Sequence, residues 1–194
     1  MNKKIVLLGT KGAGKTTMFS IMCGKKPPKE YKTTNGNDKK DRDSVGWKIF
    51  KTNIEFHDTG GMDTNNEEDY KKWILESDYV MFVFDGGKFI NEMDSPEGGI
   101  IGTKIRNWVL PVFNENNIPL TNLIFVATHM DEYGPNMRQY ILEKIKDVNK
   151  AYEKLVHTKR YTFDGLMESD QNFFCVDSRD EKQITRMFND IKSR

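Results

Sequence analysis

Residues 9–17 read Gly-Thr-Lys-Gly-Ala-Gly-Lys-Thr-Thr and follow directly on the apolar run Ile5-Val6-Leu7-Leu8. An apolar strand, a glycine-rich turn and a closing Lys-Thr form the strand–GxxxxGK[ST]–helix arrangement of a phosphate-binding loop. Each residue type has a reason to be there. Glycines let the backbone curl so that successive N–H groups face inward at a helix N-terminus, where an anion is stabilised. Lys15 then reaches the terminal phosphates, and the Thr16 hydroxyl can join the shell of a Mg²⁺ ion. Gly12, Ala13, Gly14, Lys15, Thr16 and Thr17 are the candidate phosphate-binding residues. A chain built around this turn is expected to bind a nucleoside triphosphate.

The rest of the chain fits one domain spanning residues 1–194. Thirty Lys and Arg against 29 Asp and Glu leave a formal charge of +1, so no global field points to nucleic acid or an acidic membrane. The longest apolar runs, Tyr79–Phe84 and Leu123–Ala127, are strand-sized and too short to span a bilayer. No signal-peptide pattern opens the chain, and no lipidation signal is present at either end, so no intrinsic membrane anchor is expected. Cys23 and Cys175 make neither a disulfide framework nor a metal-ligand pattern, which suits a reducing, cytoplasmic location.

Strand-like and helix-like segments alternate to the end. Lys3–Leu8, Val45–Phe50, Asn53–His57, Tyr79–Phe84, Leu123–Ala127 and Phe173–Val176 read as strands, with Tyr79–Phe84 central. Val45–Phe50 and Asn53–His57 are so close that a hairpin is the natural pairing, which makes one strand antiparallel. Lys15–Cys23 reads as a helix. Helical spacing recurs in Tyr70-Trp73-Ile74, in Ile101-Ile105-Trp108-Val112, from Met137 to Leu155, and from Ile184 to Ile191. Residues 25–43, 86–99 and 158–170 read as loops, and the periodic placement of Trp47, Trp73 and Trp108 marks them as core. This is a doubly wound α/β pattern, whose ligands lie at the carboxyl ends of the strands.

Those strand ends carry further chemistry. Asn53–His57 runs into Asp58-Thr59-Gly60-Gly61, where the aspartate can hold Mg²⁺ through water and the Gly61 N–H can bond a γ-phosphate. Leu123–Ala127 runs into Thr128-His129-Met130-Asp131. A carboxylate there accepts from both N1–H and N2–H₂ of guanine, a donor pair adenine lacks. After Phe173–Val176, the turn Asp177-Ser178-Arg179 offers backbone N–H groups to the guanine O6.

On these motifs the chain resembles a small GTPase of the Ras superfamily over essentially its whole length. Gly-Ala-Gly-Lys-Thr-Thr and Gly60-Gly61 are most similar to the Arf-like branch, and Thr128-His129-Met130-Asp131 resembles the Thr-His-x-Asp of Roc-type G domains. The resemblance implies a three-layer P-loop G domain with a six-stranded, mostly parallel sheet, one antiparallel strand and about five helices. It further implies GTP/GDP and Mg²⁺ as cofactors, and switch loops near 25–43 and 59–69 that engage effector and regulatory proteins. A first-switch threonine would complete the metal shell. Thr33 and Thr34 are the candidates, and the spacing from Thr16 favours Thr34.

Two departures matter. Met62 stands where most relatives carry the glutamine that orients the attacking water, and a thioether cannot do so. Hydrolysis is then slow, or a partner, a second copy of the chain or a nearby residue in cis supplies the missing group. Asp63, Thr64 and Lys11 are the cis candidates. His129 replaces the usual lysine and can cover the base by stacking, while Thr128, shorter than asparagine, is expected to lose one tether to the phosphate loop. His57 reads as the last residue of its strand rather than as a base. A nucleotide-bound interaction module without turnover, and a P-loop ATPase or kinase, are the alternatives. No acceptor-site pattern supports a kinase.

Overall fold

The structure, a computed structural model, describes residues 3–22, 45–46, 54–58, 67–93, 99–130, 136–156 and 172–193. Its strands are β1 (Lys3–Gly9), β2 (Val45–Gly46), β3 (Ile54–Asp58), β4 (Tyr79–Asp85), β5 (Leu123–Thr128) and β6 (Phe173–Cys175). They lie in the order β2-β3-β1-β4-β5-β6. All pairs from β3 to β6 are parallel, and β2 sets only Val45 and Gly46 antiparallel to Phe56 and Glu55. β3 extends through Asp58, one residue beyond the expected end at His57.

The expected α/β phosphate-loop fold with a parallel sheet is the observed one. β1 lies between β3 and β4, so the chain leaves β1 at the point where the strand order reverses, where this architecture opens a crevice. Alternation along β1 explains how both faces are covered. Val6 and Leu8 join one buried cluster, and Ile5 and Leu7 join the other. Helices α1 (Lys15–Met22) and α7 (Glu181–Lys192) cover the Ile5 side. Helices α2 (Glu67–Leu75), α3 (Gly86–Met93), α4 (Gly99–Lys104), α5 (Leu110–Glu115) and α6 (Asn136–Val156) lie on the other. Val80–Phe84 of β4 and Leu123–Ala127 of β5 are apolar because they are buried on both faces, and the internal position of β4 matches the expectation from its sequence.

Two features differ from the sequence reading. Residues 86–93 are helical, where 86–99 read as irregular. The reason is local: Asp85 Oδ1 accepts the Lys88 N–H at 3.0 Å, capping the first turn, and Phe89 is fully buried, 5.1 Å from the Phe84 ring. Among the described residues the helical bodies therefore number six rather than about five, with α4 and α5 joined into one body by a π-helical turn at Ile105–Val109. Pro111, which has no N–H to donate, follows that turn. Trp73 and Trp108 pack around buried Tyr70 at 5.7 and 5.6 Å, as core residues do. Trp47 lies outside the described residues.

Candidate functional site

The parallel register brings the carboxyl ends of the strands together. Asp58 lies beside Leu7, Gly9 beside Val83, Thr128 beside Asp85, and Cys175 beside Ala127. The turn from β1 into α1 therefore opens among the ends of β3, β4 and β5.

Gly12 and Gly14 adopt φ values of +78° and +79°, which side-chain-bearing residues rarely hold, so the curl depends on glycine at both places. Lys15 opens α1 with only 6% of its surface exposed. Its ammonium donates to the carbonyls of Gly9 at 3.1 Å and Thr10 at 2.8 Å, so the charge is folded back under the loop. Thr16 follows, half-buried, and Thr17 is buried.

Thr128 corrects the expectation that its shortness costs a tether. Its hydroxyl is fully buried and lies 2.9 Å from the Ala13 carbonyl and 3.1 Å from that of Phe84, so its one proton serves either acceptor. β5 ends close enough to the loop that no longer side chain is needed. His129 has φ +56°, an uncommon left-handed conformation for a side-chain-bearing residue. Its Nδ1 meets Asp85 Oδ2 at 3.0 Å. Met130 packs over Gly86, where a Cβ would overlap its sulfur.

Asp85 is a residue of these strand ends that the sequence reading did not single out. It ties the start of α3 to His129 and so joins two of the walls. The available signal was an acidic residue directly before a helix start. Burial pushes its pKa up, but the His129 hydrogen bond, the Lys88 amide and the positive charges of both residues outweigh that, and the net shift is down from 3.8. A depressed carboxylate stabilises the fold above its unfolded pKa and loses that contribution as the pH falls through the folded value. Asp85→Asn should therefore be less stable than the wild type near neutral pH, and the gap should close on acidification below 3.8. Urea midpoints at a series of pH values check this, and a gap that persists in acid contradicts it.

On the far side, Asp180 caps α7 by accepting from Lys182 N at 2.8 Å and Gln183 N at 3.2 Å, and Gln183 Oε1 accepts from Asp177 N at 3.0 Å. This small network fixes the turn after β6. It leaves Ser178 fully buried against Gly14, its hydroxyl 2.7 Å from where a Gly14 Cβ would stand, with no hydrogen-bond partner among the described residues. An unsatisfied buried hydroxyl costs stability unless a ligand completes it. The Arg179 N–H is already donated to Asp177 Oδ1 at 2.9 Å.

The structure thus brings Gly12, Ala13, Gly14, Lys15, Thr16, Thr17, Thr128, His129 and Ser178 around one loop. Asp58 ends a neighbouring strand. Thr33, Thr34, Gly61, Met62, Asp63, Thr64 and Asp131 lie outside the described residues. Among the described side chains no group of three or more His, Cys, Asp or Glu is arranged to hold a metal. Hydroxyl and carboxylate donors such as Thr16 and Asp58 suit a hard cation that takes its other ligands from phosphate and water.

Residues 4–131 match the family described as Ras of Complex, Roc, domain of DAPkinase. No curated protein sequence matches the chain. Among solved structures, the Arl6 (BBS3) small GTPase of Trypanosoma brucei with bound GppNp aligns over 100% of this chain and 96% of its own, at 14% identity and TM-score 0.60. A probable GTP-binding protein, engB, aligns over 98% of this chain and 97% of its own, at 17% identity and TM-score 0.57. Era from Aquifex aeolicus, bound to GDP and aluminium fluoride, aligns over 100% of this chain and 57% of its own, at 16% identity and TM-score 0.58. At these identities the likeness concerns the fold.

Proposed function

The chain belongs to the Roc family within the Ras superfamily of small GTPases, and on that premise we propose that it is a Mg²⁺-dependent GTP/GDP switch with slow or partner-assisted hydrolysis. One observation carries the reading. At Ala13–Gly14 the Thr128 hydroxyl and the unsatisfied Ser178 hydroxyl converge on the phosphate loop, linking the ends of β5 and β6 to the turn after β1. A nucleotide lying across these ends has its phosphates at Gly12–Thr17 and its base between the Thr128–Asp131 segment and Ser178–Arg179.

In this reading the inward N–H groups and Lys15 hold the phosphates, Asp131 selects guanine, and His129 covers the base. The residues that would hold Mg²⁺ are Thr16, Asp58 and Thr34; the ion would neutralise charge on the β- and γ-phosphate oxygens. The Gly61 N–H meets the γ-phosphate, and its loss on hydrolysis releases the segment around 59–69, which with 25–43 forms the effector-reading surface. The proposal carries a cytoplasmic location with it, where GTP and Mg²⁺ are supplied. No described helix is long and apolar enough to cross a membrane. It also carries the complete six-stranded sheet with one antiparallel member, supported by the ladder of Val45–Gly46 beside β3.

Water attacking the γ-phosphorus, with cleavage of its bond to the bridging oxygen, gives GDP and phosphate. Met62 offers that water neither a donor nor a useful acceptor. The nucleotide that co-purifies should be a guanine nucleotide, and single-turnover hydrolysis should be slow. ATP outcompeting GTP would overturn the assignment, and rapid unassisted turnover that survives Met62→Ala would overturn slow hydrolysis. The reading as a nucleotide-bound module without turnover rests on Met62. It predicts the same protease sensitivity of residues 25–43 with GDP and with a GTP analogue.

A further inference from the structure

Gly12 is approached by a side chain that no strand end supplies. Lys88 sits in the first turn of α3, and its ammonium lies 3.9 Å from the point where a Cβ on Gly12 would stand. The side chain is exposed, and among the described residues it takes part in no ion pair. Its own backbone N–H is fixed on Asp85 Oδ1, while the other oxygen of that carboxylate is held by His129. The start of α3 is therefore anchored, and the lysine stem extends from it to the mouth of the loop.

Two ammonium groups thus bracket the turn. Lys15 is buried on the carbonyls of Gly9 and Thr10, and the exposed Lys88 lies at Gly12. Because Gly12 has no side chain, the Lys88 ammonium reaches contact distance of the loop at this turn. An anion bound at this turn gains attraction from both ammonium groups. A lysine head is a compact charge with three donors, suited to phosphate oxygens without a fixed geometry.

We infer that Lys88 is a second phosphate-binding cation, contributed in cis from α3, which holds the polyphosphate of the bound nucleotide beside Gly12. The inference rests on the nucleotide reading above and extends it to a residue outside the phosphate loop. The competing role for Lys88 is local: its charge helps keep Asp85 ionised, and so helps hold His129 at the base. The two roles differ in which part of the nucleotide feels the substitution.

Equilibrium binding of guanosine monophosphate, guanosine diphosphate and a non-hydrolysable triphosphate analogue to the wild type, Lys88→Met and Lys88→Arg separates them. Lys88→Met should weaken the diphosphate and triphosphate by about fivefold or more and the monophosphate by less than about twofold. Lys88→Arg should stay near the wild type, and the salt dependence of triphosphate binding should be shallower in Lys88→Met. Unchanged affinities in Lys88→Met would overturn the inference. So would an equal loss for all three nucleotides, which would place the effect at Asp85 and the base. If the wild type binds none of the three, the nucleotide reading itself falls, and that result appears without any substitution. Melting of nucleotide-free Lys88→Met near the wild-type temperature confirms that the comparison is between folded proteins.

Discussion

Asp131→Asn should weaken GTP binding by roughly 100-fold or more and create measurable binding of xanthosine triphosphate. The magnitude follows from the chemistry of the base edge. A carboxylate at this place accepts from N1–H and N2–H₂, and hydrogen bonds to a charged group contribute about 1.5–3 kcal/mol each. Asparagine presents one acceptor and one donor, so one of the two bonds becomes donor against donor. Xanthine carries an oxygen where guanine carries the amino group, and the new amide donor then finds a partner. Discrimination of this kind is large because a wrong partner leaves buried polar groups unpaired. The described residues support the placement up to its doorstep. Thr128 is fixed on Ala13, the left-handed turn at His129 is held by Asp85, and Met130 is seated over Gly86. Competition binding with GTP, ATP and xanthosine triphosphate measures the switch, and unchanged GTP affinity in the variant would reject the assignment of Asp131.

How much of this was legible beforehand differed from element to element. Apolar runs marked β1, β4 and β5 because these strands are buried on both faces, and the glycine-lysine turn named its own chemistry. The helix at Gly86–Met93 was not legible, since paired glycines read as a break. What overrides them is a cap from Asp85 and the burial of Phe89 against Phe84, and both partners lie in or at the end of the neighbouring strand. Missing that helix meant missing that Asp85 meets His129 and that Lys88 lies beside Gly12. Thr128 was misjudged for a different, long-range reason. Side-chain length alone suggested a lost tether, but the distance it must cover is set by how β5 ends beside Ala13, 115 residues away in sequence. Motifs thus reveal which groups do chemistry, whereas tertiary register decides which neighbours orient them.

Gly9→Ala should destabilise the fold by about 3–5 kcal/mol, although alanine adds a single methyl group. Gly9 is the last residue of β1 and pairs with Val83 at the centre of the sheet. Its φ is +142°, a conformation that side-chain-bearing residues rarely adopt. A Cβ there would overlap the Val83 carbonyl oxygen and come within 2.7 Å of its carbon, and both atoms belong to backbone that cannot rotate aside. That oxygen also accepts the Thr10 N–H at 3.2 Å, so the strands cannot part without breaking the bond that starts the loop. Lys15 donates to the Gly9 carbonyl itself, so any shift of β1 also moves the Lys15 ammonium. Net stabilities of domains are about 5–15 kcal/mol, so a loss of this size consumes a large part of the margin. At roughly 2–4 °C per kcal/mol for a chain of this length, the melting temperature should fall by about 10 °C. Gly12→Ala is the internal control. It also has positive φ, but the nearest atom to its added methyl is the Lys88 ammonium at 3.9 Å, the end of a flexible side chain. The control should cost only the backbone term, about 1–2 kcal/mol. Parallel thermal and urea denaturation of the two variants measures the difference. Equal stability of Gly9→Ala and Gly12→Ala would mean that β1 and β4 do not approach as closely as the structure has them, and with that the placement of Lys15 would fall.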